Sequence, residues 1–138
     1  MKDLIANFFE LWGWCYFGDF SKYMYKADLY GEVALVTVLL PLLVFFIYYK
    51  LDHIRLAKLN VWVCILFVVS LISALIAYNI SDAGLTDYLS QHKIKKHNII
   101  PVDYFWFSFI VFIYTAIFSF LFSAILKLGA SKGRRIPF

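Results

Sequence analysis

The chain has 138 residues, of which 63% are hydrophobic, 21% aromatic and 16% charged, with a formal net charge of +4 and a mean hydropathy of +0.77. A soluble domain carries about 25% charged residues, and a small one has too much surface for its volume to hide so many apolar side chains. The composition excludes an ordinary soluble domain and indicates a single-domain integral membrane protein.

The opening MKDLIANFFELWGW reads as an amphipathic helix. At 100° per residue, Leu4, Ile5, Phe8, Phe9, Leu11, Trp12, Cys15 and Tyr16 share one arc, while Asp3, Asn7 and Glu10 gather opposite. Such a pattern suits a helix lying in the membrane plane or packed on other helices. A spanning role would place Glu10 in hydrocarbon, which is costly. Asp3 complements the helix dipole, and Gly13 predicts a bend. The stretch CYFGDFSKYMYKADLYGE is expected to rest at headgroup level as an aromatic loop or to form a docking surface. Phe8, Phe9, Trp12 and Trp14 are the candidate docking residues here, with Phe138 at the far end of the chain. No basic n-region, continuous apolar core or small-residue cleavage site marks a secretory signal.

Three apolar windows follow, at Val33 to Tyr49, Val61 to Ile80 and Phe105 to Leu126. None contains Asp, Glu, Lys, Arg or His, and a bilayer core of about 30 Å needs about 20 such residues in a helix. Continuous runs, rather than alternation, exclude barrel strands. The predicted fold is all-α, with three transmembrane helices and an N-terminal interfacial helix. It divides into residues 1–30, a transmembrane domain 31–126 and a basic tail 127–138. Tyr30, Tyr48, Tyr49, Trp62, Tyr78, Tyr104 and Trp106 stand at the span edges, where amphipathic rings settle at headgroup level.

Orientation is read from basic residues near the span ends. Lys50, Arg55 and Lys58 in the first loop and Lys127, Lys132, Arg134 and Arg135 in the tail face only Asp52. In the N-terminal segment, Asp3, Glu10, Asp19, Asp28 and Glu32 outnumber Lys2, Lys22 and Lys26. The expected topology has the N-terminus outside and the C-terminus in the cytoplasm of a bacterial inner membrane. The same basic residues suit attraction to anionic lipid better than a nucleic-acid ligand.

Site chemistry is sparse. His53, His92 and His97 fall in loops, with three lysines beside the last two, so neither a metal site nor membrane haem ligation is expected. Cys15 and Cys64 have no metal or redox spacing, and Cys64 is expected as a small buried hydrophobe. No metalloprotease, nucleophile-elbow or phosphate-loop motif occurs. No cofactor, small-molecule substrate or catalytic role is expected, and charge-free spans argue against ion-coupled transport.

What the spans do carry is small residues at helical spacing. Ser70, Ser73, Ala74 and Ala77 mark a packing face on the second span, and Ser108, Thr115, Ser119 and Ser123 mark one on the third. Such faces let membrane helices approach closely and hydrogen-bond, either within one chain or between chains. Pro41 predicts a kink in the first span. The expected function is a non-enzymatic subunit of a larger membrane complex, such as a bacterial secretion or injection machine, with lipids and other membrane subunits as partners. The alternative is a homo-oligomeric pore or membrane-disrupting effector lined by the hydroxyl stripe.

Overall fold

The computed structural model describes residues 2–51, 59–93 and 99–129. Two short helices, α1 (Lys2–Phe9) and α2 (Asp19–Lys26), precede three long ones, α3 (Leu29–Leu51), α4 (Leu59–Gln91) and α5 (Pro101–Gly129). Each long helix contains a window apolar and long enough to cross a membrane. The protein is thus an all-α membrane protein with three spanning helices and a short N-terminal helix.

The long helices pack on one another, and the pairing of their ends sets their directions. Tyr30 lies against Phe107 and Tyr49 against Ser123, so α3 and α5 run parallel. Trp62 meets Ser123 and Tyr78 meets Tyr104, so α4 runs the opposite way between them. The packed interior has three layers. At the N-terminal end of α3, an apolar cluster gathers Phe9, Phe20, Met24, Tyr30, Leu85 and Phe107. At the other end, Phe45, Tyr48, Tyr49 and Trp62 form a smaller one. Between them lies a waist of small side chains, including Thr37, Pro41, Ser70, Ser73, Thr115 and Ser119, all buried. Bulky rings close both ends, while small residues let the helices approach at mid-depth.

The remaining surface is apolar all round. Leu39 and Leu43 on α3, Phe67 and Leu71 on α4, and Phe109, Ile117 and Phe120 on α5 point outward. A helix apolar on every face belongs in lipid, and these side chains are what the acyl chains would touch.

Several local expectations need correction. The second span was expected to end at Ile80, with Asp82 and Asp87 in a loop; instead α4 runs unbroken to Gln91. Thirty-three residues make a rod of about 50 Å, longer than the hydrocarbon core. Ser81, Leu85 and Leu89 continue its buried face at four-residue spacing. The expected aromatic loop after Cys15 contains α2, whose Phe20, Ser21 and Met24 are buried. Of the seven edge aromatics, Tyr30, Tyr48, Tyr49, Trp62 and Tyr104 face inward, and only Tyr78 and Trp106 are exposed. Cys64 is exposed on the lipid-facing side of α4, while Cys15 is half-buried; both are free thiols.

Gly84 marks the closest approach of the α4 extension to α3. A Cβ built there would stand 2.5 Å from Leu29 Cδ2, and Leu29 is itself buried. Replacing Gly84 by Ile is expected to destabilise the bundle by about 1–3 kcal/mol through overpacking. Gly84→Ala should come out near neutral, because the gain in helix propensity of about 1 kcal/mol offsets the crowding. Thermal unfolding in detergent, followed by circular dichroism, measures both, and adding Leu29→Ala should relieve part of the Gly84→Ile defect.

Candidate functional site

The polar groups inside the bundle converge on α5. Ser123 Oγ accepts a hydrogen bond from Trp62 Nε1 of α4 at 2.8 Å and shares another with Tyr49 Oη of α3 at 2.6 Å. One hydroxyl therefore joins all three spanning helices. Two turns earlier, Thr115 Oγ1 donates to Ser73 Oγ at 3.0 Å and also approaches the Val111 carbonyl at 2.8 Å. Ser70, Ser81, Ser108 and Thr37 bond instead to carbonyls four residues back, at Leu66, Ala77, Tyr104 and Val33. That local bond makes a hydroxyl tolerable in a helix without any partner helix. Ser119 differs from these: it is fully buried, and its Oγ has no hydrogen-bond partner among the described residues.

The structure places most of the expected packing residues together. Ser70, Ser73 and Ala77 lie on the buried face of α4, and Thr115, Ser119 and Ser123 on that of α5. Ser108 is also buried but borders an outward groove. Ala74 departs from the expected seam. It is half-buried and lines the same groove of about 420 Å³, with Phe67, Tyr78, Phe109 and Phe112. Its helical angle is close to those of Ser70 and Ser81, so the difference comes from what covers it: at this level the ring-lined groove, and not a neighbouring helix of the chain, lies over Ala74.

Pro41 sits inside α3 with its ring fully buried. Lacking an N–H, it leaves the Thr37 carbonyl without its usual helical donor, and α3 nevertheless continues as one helix to Leu51.

The candidate docking residues divide. Phe8 stacks on Tyr114 with ring centroids 4.3 Å apart, and Phe9 packs against Tyr30, Phe107 and Tyr114. Both are thus engaged within the chain rather than offered to a partner. Trp14 is 93% exposed. The Trp12 side chain and Phe138 lie outside the described residues. Among the basic residues, Lys50 is exposed with Nζ 6.0 Å from the Phe46 ring, and Lys127 is half-buried. Arg55, Lys58, Lys132, Arg134 and Arg135 lie outside the described residues, as do His53 and His97.

A second polar assembly, unforeseen in the sequence, fastens the N-terminal segment. Tyr114 Oη donates to the Phe8 carbonyl at 2.7 Å, satisfying a free carbonyl at the C-terminal end of α1. Tyr30 Oη donates to the Glu10 carboxylate at 2.7 Å, and Tyr25 Oη donates to Asp3. That hydrogen bond, and then the Asp3 charge, raise the Tyr25 pKa above its ordinary value. An exposed ion pair, Lys2 to Asp28 at 2.8 Å, adds little. Alpha-one spans only eight residues, about 12 Å, so it cannot cross the membrane. It wedges between α3 and α5, with Phe8 beside Phe118 as well as Tyr114. The signal that would have found this was the pairing of acids on one helix with tyrosines elsewhere, which carries no periodicity.

Among the described residues, no group of three His, Cys, Asp or Glu is placed to hold a metal. Comparison with protein-family models, curated proteins and solved structures finds no match to this chain.

The hydroxyls should differ sharply in their contribution. Ser123→Ala removes the acceptor of Trp62 Nε1 and the partner of Tyr49 Oη, and should cost about 1–3 kcal/mol. Ser119→Ala removes an oxygen with no hydrogen-bond partner and should stay within about 0.5 kcal/mol of the parent. Reversible unfolding in mixed micelles ranks the two; equal losses would show that these hydrogen bonds do not govern stability.

Proposed function

We propose that the protein is a small non-enzymatic subunit of a larger membrane assembly, using its lipid-level surface to hold other membrane proteins. The observation that carries this reading is the contrast between its two aromatic populations. Phe9, Phe20, Phe45, Tyr49, Trp62 and Phe107 are consumed in packing the chain on itself. Phe67, Phe105, Trp106, Phe109 and Phe120 project from α4 and α5 instead. Several of them line the 420 Å³ groove, whose floor is formed by Ala74 and Ser108. A groove with small residues at its base and rings at its rim suits the insertion of a neighbouring helix. The connections between the spanning helices are short. Six titratable groups of the N-terminal segment tie helices together in the pairs Asp3–Tyr25, Glu10–Tyr30 and Lys2–Asp28.

The placement we propose is a bacterial inner membrane, N-terminus outside and C-terminus in the cytoplasm. It is supported by the basic residues at Lys50 and Lys127 at one end of the bundle and the acids Asp28 and Glu32 at the other. A secretion or injection machine is the kind of assembly that fits such a subunit. The pore reading loses its main support: Thr115, Ser119 and Ser123 are all within 1% of complete burial and face the other helices of the same chain, so they offer no hydroxyl stripe to an oligomeric channel.

Gentle extraction from the native host tests the assembly reading. Stoichiometric membrane partners should co-purify and be released by Ala74→Leu or Ser108→Leu, which fill the groove base. A monodisperse lone chain, or steady ion conductance from the purified protein in planar bilayers, would count against it. Orientation is checked in a variant with Cys15 and Cys64 replaced. A single cysteine at Ser90, exposed near the end of α4, should react with an impermeant maleimide from outside in intact cells, and one at Ala57 should not.

A further inference from the structure

We propose that the crevice between α1 and α2 is a binding site for a phosphoethanolamine group, an ammonium tethered to a phosphate. The crevice measures about 350 Å³ and is walled by the polar face of one short helix against that of the other. Asp3, Asn7 and Glu10 come from the α1 side, and Ser21, Lys22, Tyr25 and Lys26 from α2.

Acids facing lysines across a gap would ordinarily close it with ion pairs. Here they do not. Lys2 pairs instead with Asp28, outside the crevice. Lys26 leans toward the Tyr23 ring at 6.0 Å. The carboxylates are meanwhile held in place by phenols: Tyr25 donates to Asp3, and Tyr30, which is buried, donates to Glu10. Ser21, 1% exposed, is fixed by accepting the Phe17 N–H at 3.0 Å. The result is two positioned carboxylates and two uncommitted ammonium groups lining one volume.

The matching ligand carries both signs. Its ammonium would lie against the Glu10 carboxylate in a charge-assisted hydrogen bond, with Asp3 adding negative charge along the same wall, and its phosphate would reach Lys22 and Lys26. A choline group fits less well because its nitrogen has no hydrogen to donate to a carboxylate. A glycerol headgroup lacks the cation altogether, leaving phosphate near two acids. Position also suits a lipid source. The opposite face of α1, with Ile5 and Phe8, borders an apolar groove shared with Ala34, Val38 and Phe118. The crevice thus stands at the polar edge of a lipid-facing surface. The inference is independent of the assembly reading, since it concerns a single chain.

Native mass spectrometry of the full chain in mild detergent tests it, with phosphatidylethanolamine, phosphatidylcholine and phosphatidylglycerol supplied in equal amounts. Phosphatidylethanolamine adducts should exceed each of the others by about fivefold, as expected for a few charge-assisted contacts. Glu10→Gln and the double variant Lys22→Ala/Lys26→Ala should each abolish the preference. Glu10→Gln also weakens the tie to Tyr30, so the lysine variant, which touches no hydrogen bond of the fold, serves as the control, with thermal melts of both. Free phosphoethanolamine that displaces the lipid adduct supports the same chemistry with a soluble source; displacement failing while the lipid preference holds supports the headgroup. Equal occupancy by the three lipids, a preference for phosphatidylglycerol, or a preference unchanged in the lysine variant would overturn the proposal.

Discussion

Helices already in lipid gain nothing from hiding apolar surface from water, so their association depends on close contact and on polar groups that find each other. In this chain that constraint falls on α5, and above all on Ser123. A single serine oxygen lies within hydrogen-bond distance of both Tyr49 and Trp62, on α3 and α4. The ring-bearing residues can converge there only because the side chain they meet is small. Thr115 against Ser73 repeats the device at mid-depth. Each such bond contributes about 0.6 kcal/mol on average in a membrane, so neither alone holds the bundle. Their worth lies in register: they fix which turn of α5 faces which turn of its neighbours, and the dispersion contacts of the cluster that holds Val111 and Ala77 then follow.

The N-terminal segment solves a different problem. A helix of eight residues is too short to be stable alone, and its last carbonyls need partners wherever water is scarce. Tyr114 supplies one of them from the middle of α5. Phe9 then completes the cluster around Tyr30 and Phe107. Alpha-two follows because Phe20 and Met24 drop into the space left between α4 and the start of α5, with Phe20 at 5.0 Å from Tyr104. The long α4 extension is the wall they need. Had α4 stopped at Ile80, Leu85 and Leu89 would be missing from that cluster. The extension and the short helices therefore stand or fall together.

Spans and hydroxyl stripe were legible because both are properties of one helix read along its length. Hydropathy marks a span regardless of its neighbours, and Thr115–Ser119–Ser123 announces a face by spacing alone. What escaped reading depends on which neighbour arrives. The edge aromatics Tyr49 and Trp62 look the same in sequence whether they float at headgroup level or turn inward, and the decision lies with Ser123 across the interface. Ala74 shares the spacing and nearly the angle of Ser70, Ser73 and Ala77, so periodicity could not tell that it borders an outward groove while they are buried within the chain. The end of α4 had a readable signal in Ser81, Leu85 and Leu89. A hydropathy window discounts it because Asp82 and Asp87 fall between them.

The hydroxyls of the α5 stripe are buried inside the chain, while the acids and lysines of α1 and α2 are gathered at one end. Here the membrane-level exterior is apolar, and the charged groups gather at the α1–α2 end. There Tyr25 and Tyr30 donate to the Asp3 and Glu10 carboxylates, which line one crevice with Lys22 and Lys26. The fold therefore separates its polar groups by depth: hydroxyls buried between the spans, and charges at the rim.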